Sequence, residues 1–110
     1  MESILTSTKK YIGLLDDYDV FDPIIIMHIN SVFMTLQQLG VGPEDGFYIE
    51  DVTAYWEDYL TDVTTLAIVR TYMGAKVRLL FDPPSNATLL KALNDTIAEC
   101  ECRLNMAVDR

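Results

Sequence analysis

The last quarter of the chain constrains its fold most. Leu90, Leu93, Ile97, Cys100, Leu104 and Ala107 recur at spacings of 3, 4, 3, 4 and 3. That rhythm keeps apolar side chains on one side of a helix over about 86–108. A helix with such a stripe is stabilised chiefly by packing that stripe against a partner element. The spacing supplies one: Leu66, Val69, Met73, Val77 and Leu80 give 3, 4, 4 and 3 over about 64–81. Asp82-Pro83-Pro84 stops that helix, and Ser85 or Asn86 starts the next. So short a connection predicts an antiparallel C-terminal helix pair.

The rest is also punctuated as helix. Residues 3–12 form a short helix with Ile4, Leu5, Thr8 and Ile12 near one face, ended by Gly13. An acidic turn follows at 16–19. Asp22-Pro23 is a helix start, with Asp22 as N-cap and proline at the first helical position. Ile25, Ile29, Val32, Leu36 and Leu39 then make a core stripe that Gly40 ends. Ile26, Met27, Phe33 and Met34 make this helix apolar on more than one face, so it is central to the bundle or shared with a neighbour. Residues 40–51 form a long loop broken by three glycines and a proline. Within it, Phe47, Tyr48 and Ile49 either form an exposed apolar patch or fold back over the core. Asp51 or Thr53 caps a short helix through Leu60, with Val52, Trp56, Leu60 and Val63 on one side and Trp56 in the core. The expected fold class is therefore all-α, a small helical bundle in a single domain over 1–110.

Charge narrows the function. Seventeen acids against eight bases give −9, which argues against nucleic acid as a ligand. Residues 1–10 and 70–110 are each net +1, whereas 11–69 hold eleven acids and no Lys or Arg. Such asymmetry suits head-to-tail contacts between unlike surfaces, or a solvated negative face. Glu57, Asp58 and Asp62 give a negative outer face, although Asp58 and Asp62 are like charges four apart. The greasiest stretch, 24–34, is interrupted by His28, Asn30 and Ser31 and is too short to span a membrane. Met1-Glu2-Ser3 does not begin a signal peptide, so a cytoplasmic site of folding is expected.

No catalytic constellation emerges. Cys100 and Cys102 diverge on a helix and cannot bridge, so Cys100 reads as core and Cys102 as a free thiol. His28 sits among isoleucines. Asp17, Asp19 and Asp22 lack the glycine and the glutamate of a calcium loop, since Asp22 and His28 occupy those positions. No metal, no cofactor and no enzymatic activity are expected.

The ordered motifs go further. Lys10-Tyr11-Ile12-Gly13 is followed by the acidic turn and by Ile25-Ile26-Met27-His28-Ile29-Asn30. Leu39-Gly40-Val41-Gly42-Pro43 comes next, then Lys76-Val77-Arg78-Leu79-Leu80-Phe81-Asp82-Pro83-Pro84, and last Ile97-Ala98-Glu99 leading to Arg103-Leu104-Asn105. Over about residues 3–106 the chain resembles the head–tail connector proteins of tailed bacteriophages, small adaptors also labelled DNA-packaging or head-completion proteins. The resemblance implies a helical bundle that assembles as a ring, usually twelvefold, beneath the portal protein. Such a ring extends the DNA channel and docks a stopper or tail-completion protein. The genome passes through without specific binding, and the location implied is the virion, assembled in the bacterial host cytoplasm. The residues expected to make subunit or portal contacts are Phe47, Tyr48, Ile49, Arg70, Arg78, Arg103 and Arg110. Glu57, Asp58 and Asp62 are the candidate acidic lumen or interface face. A second function class stays open: an acidic effector that mimics DNA and inhibits a host protein.

Overall fold

A computed structural model describes residues 2–108 and gives five helices: α1 (Ile4–Tyr11), α2 (Asp22–Gln38), α3 (Trp56–Tyr59), α4 (Val63–Phe81) and α5 (Ala87–Val108). The protein is all-α. Among the described residues the sole extended pairing is one antiparallel bridge, Ser3 with Tyr55. Helix α4 is the hub, packing on α1, α2 and most extensively on α5. The last two helices form the expected pair, with Tyr72 of α4 donating a hydrogen bond to Glu101 of α5 at 2.8 Å.

The helix boundaries follow from local chemistry. Ser3 Oγ accepts from the Thr6 N–H (3.3 Å), and Asp62 accepts from the Thr65 N–H (3.2 Å) at the start of α4. Asn86 accepts from the N–H groups of Thr88 and Leu89 (2.8 and 3.2 Å) at the start of α5. Helix α2 departs from expectation. Its N-cap is Phe21, without a side-chain cap. Asp22 lies inside the first turn, where its carboxylate faces the Lys9 ammonium at 2.9 Å. Without that carboxylate the buried Lys9 ammonium would be left without a counter-charge, a larger loss than a cap worth about 1 kcal/mol.

The core contains Ile25, Ile29, Val32, Phe33 and Leu36 from α2, Val69, Tyr72, Met73 and Val77 from α4, and Ile97, Cys100 and Leu104 from α5. Each of the three long stripes is buried over its middle. Leu80, at the end of the α4 stripe, is exposed. Gly74 admits the close approach of a side chain. A Cβ there would stand 2.4 Å from Cγ of the Tyr11 ring, so α1 lies directly on α4.

The region before α4 corrects the expected 51–60 helix. Asp51 accepts from the Thr53 N–H (2.9 Å), closing a turn that competes with helix. The chain then runs extended beside the N-terminal segment. The Ile4 N–H donates to the Ala54 carbonyl (3.0 Å) and the Trp56 N–H to that of Glu2 (3.3 Å). Only one helical turn remains. Trp56 is buried as expected and Tyr59 joins it, but Val52 and Val63 are exposed.

The 40–51 loop is held to α2 by two amide side chains. Asn30 donates to the Ile49 carbonyl (3.0 Å) and accepts from the Ile49 N–H (2.8 Å). Gln37 donates to the Glu44 carbonyl (2.9 Å). Gly42 has φ +87° and lies against the Tyr59 ring, 2.6 Å from where a Cβ would stand, so no other residue fits there. Asn30→Ala strands a backbone donor and acceptor together. It is expected to cost about 2 kcal/mol, read as a lower denaturant midpoint with an unchanged m-value.

Candidate functional surface

The loop divides its three candidate residues. Phe47 is half-buried in an aromatic cluster, its ring centroid 5.1 Å from that of Phe33 and 5.2 Å from that of Tyr59. Ile49 is buried in the core. Tyr48 alone of the three is exposed, as the alternation of an extended segment requires. The structure thus folds this segment back over the core and offers one aromatic side chain outward.

The described arginines are all engaged within the chain. Arg70 pairs with Glu2 and lies over the Trp56 ring, 5.8 Å from its centroid. That ion pair holds the Glu2 carboxyl below the usual range. Arg78 donates through Nε to the Asp82 carbonyl (2.7 Å), closing the end of its own helix. Arg103 is exposed and pairs with Glu99 one turn back. Arg110 lies outside the described residues.

Two of the three acids in the candidate face are helix caps. Asp58, in the first turn of α3, reaches back to accept from the N–H of the N-cap residue Tyr55 at 2.9 Å. Asp62 caps α4 and accepts from the Thr65 hydroxyl as well, and these bonds hold its carboxyl below the usual range. The like charges four apart thus mark two successive helix starts, where carboxylates are favoured. Glu57 has no hydrogen bond or ion pair among the described residues and lines a groove of about 410 Å³ with Val63, Leu66 and Arg70.

Buried tyrosines give the bundle an alkaline limit. Tyr59 donates to the Val41 carbonyl (3.3 Å), and burial pushes its hydroxyl up to about 12. Burial, reinforced by Glu101, pushes Tyr72 up as well. Above an ordinary tyrosine value of about 10 the unfolded chain loses these protons first. Stability is therefore complete below about pH 10 and falls as pH rises toward 12. Denaturant titrations across that window are expected to show a shallower fall for Tyr59→Phe than for the native chain.

One surface was only half legible in the sequence, the outward side of α2. Met27 and Met34 are 62% and 64% exposed and Ile24 43%, on a helix that carries no Asp, Glu, Lys or Arg from Pro23 to Gln38. Single exposed apolar residues are ordinary, whereas these lie aligned on an uncharged helix side. Among the described residues no three metal-ligating side chains gather, and no helix is long and apolar enough to cross a membrane.

The described residues thus form a helical module with one uncharged flank, on α2. A family model described as phage connector protein matches residues 4–110, and the chain belongs to that family. That membership supports a connector-type structural role in a phage. No curated protein and no solved structure matches the chain.

Proposed function

We propose that this protein is a head–tail adaptor, a ring-forming subunit that sits beneath the portal, extends the DNA channel and receives the stopper or tail-completion protein. The observation that carries this reading is the family match across residues 4–110. The charge layout supports it. A ring repeats one heterologous contact until rotation closes it, and unlike surfaces on one chain suit such a contact. At −9 per chain, a twelvefold ring carries on the order of a hundred negative charges. Where these face the channel they repel DNA phosphates and let the genome slide.

Native mass spectrometry with negative-stain imaging, alone and with the cognate portal, tests the reading. Rings of about a dozen copies, formed alone or on the portal, are the expected result. Monomers that never engage the portal overturn it and favour the acidic effector. The lumen assignment is tested at Glu57 rather than at Asp58 or Asp62, because reversing those two charges also uncaps α3 and α4. Glu57→Lys rings are expected to assemble but to retain DNA. Unchanged ejection removes Glu57 from the channel.

A further inference from the structure

Helix α4 carries Arg70, Gly74 and Arg78 at i, i+4 and i+8, so the three stand along one side of it. The Tyr11 ring lies across Gly74, between the two arginines. Glycine is unfavourable inside a helix, and at 74 it is what lets the dividing ring lie there. A hollow opens on each side of that ring. The first, with Ser7, Trp56 and Arg70, measures about 130 Å³. The second measures about 270 Å³ and is lined by Arg78, Pro84, Leu89 and Leu93 besides Tyr11.

The chain itself serves the first arginine. Its N-terminal segment runs extended beside Tyr55, Glu2 pairs with Arg70, and Ile4, two residues on, is buried in the core. One extended stretch thus delivers a carboxylate to an arginine and an aliphatic side chain to an apolar site, at the two-residue spacing that such a backbone sets. The second arginine has the same surroundings, the Tyr11 ring and apolar walls, but the described chain brings it no carboxylate. Arg78 spends only Nε, on the Asp82 carbonyl, and forms no ion pair among the described residues. Leu89, in the groove wall, is 59% exposed.

We propose that the groove beside Arg78 binds an extended segment of a different protein, with an Asp or Glu on Arg78 and, two residues away, a Leu or Ile against Leu89 and Leu93. The guanidinium sets the charge of the occupant and the leucines set its apolar anchor. One carboxylate fits, and a run of them does not. Asp82 is exposed, Asp95 stands one residue from Thr96 of the groove wall and pairs with Lys91 at 2.8 Å, and the whole chain is −9, so further acids are repelled. The acidic turn of a second copy, with Asp16, Asp17 and Asp19, is disfavoured on that ground. The same net charge makes the binding of an acidic segment a local effect of Arg78 rather than general attraction. The inference goes beyond the adaptor reading and does not depend on ring formation.

The probe is the peptide acetyl-Gly-Glu-Ser-Leu-Gly-amide, titrated into the isotope-labelled native chain. Amide resonances of Tyr11, Arg78, Leu89 and Leu93 are expected to shift, saturating at peptide concentrations on the order of millimolar. Glutamine in place of the peptide's glutamate is expected to weaken binding about tenfold, the worth of a charge-assisted hydrogen bond. Arg78→Gln is expected to show the same loss against the original peptide, no further loss against the glutamine peptide, and an unchanged far-ultraviolet circular dichroism. Lys91→Gln leaves the groove's cation in place and is expected to bind as the native chain does. No shift at these residues, equal affinity for the two peptides, or shifts centred on Arg70 and Trp56 overturns the proposal. The adaptor reading stands or falls separately, on ring formation.

Discussion

Trp56→Ala is expected to lower the stability of the subunit by about 4 kcal/mol, the usual cost of removing a large buried aromatic. A domain of this size has only about 5–15 kcal/mol in total, so the variant should melt some 15–25 °C lower. The reason is position as much as size. Trp56 is 1% exposed. Its indole N–H donates to Ser7 Oγ (2.7 Å), its ring lies under Arg70 and beside Phe33, and its backbone N–H holds Glu2. One side chain thus joins α1, α2 and α4. Ser7→Ala removes the hydroxyl acceptor alone and is expected to cost about 1 kcal/mol. Denaturant unfolding followed by circular dichroism measures both. A loss below 1 kcal/mol for Trp56→Ala would mean that the indole is not the joint described.

The second large effect is expected at Asp22. Lys9 is 2% exposed, and its ammonium sits 2.9 Å from the Asp22 carboxylate while donating to the Asp16 carbonyl (3.1 Å). Asp22 is itself 24% exposed. Removing the carboxylate strands a buried cation, so Asp22→Ala is expected to cost about 3 kcal/mol. Lys9→Met should cost less, because about a quarter of the Asp22 side chain stays in water even though the oxygen that faced Lys9 is buried. The two changes together should cost less than their sum, with a coupling of about 2 kcal/mol. Strict additivity in that double-mutant cycle would show that the pair is not an interacting unit. The consequence is local order: this pair ties the end of α1, the acidic turn and the start of α2.

The positions of the long helices were legible because their signals are local. Apolar spacing sets the stripe, while Gly13, Gly40 and Asp82-Pro83-Pro84 set the ends, and neither needs a distant partner. The 51–60 segment was not legible. Its spacing suits a helix, but the extended N-terminal segment competes for its backbone, and the Asp51–Thr53 turn breaks it. Lys9 and Asn30 gave no signal, since a buried ammonium or amide is defined by partners 13 and 19 residues away. Asp58 and Asp62 read as a charged face because composition counts charges and does not see which N–H groups they cap.

The sequence by itself determined the helical class, the boundaries of the long helices, the antiparallel C-terminal pair and the family. All four rest on patterns repeated along one chain, and near neighbours enforce them. Only the tertiary structure decided which candidate residues are free to meet a partner. Phe47 and Ile49 turned inward because the aromatic cluster and Asn30 gave them partners, whereas Tyr48 and Arg103 stayed exposed. The outward side of α2 was left uncovered because α4 can shield only one side of a helix it packs against.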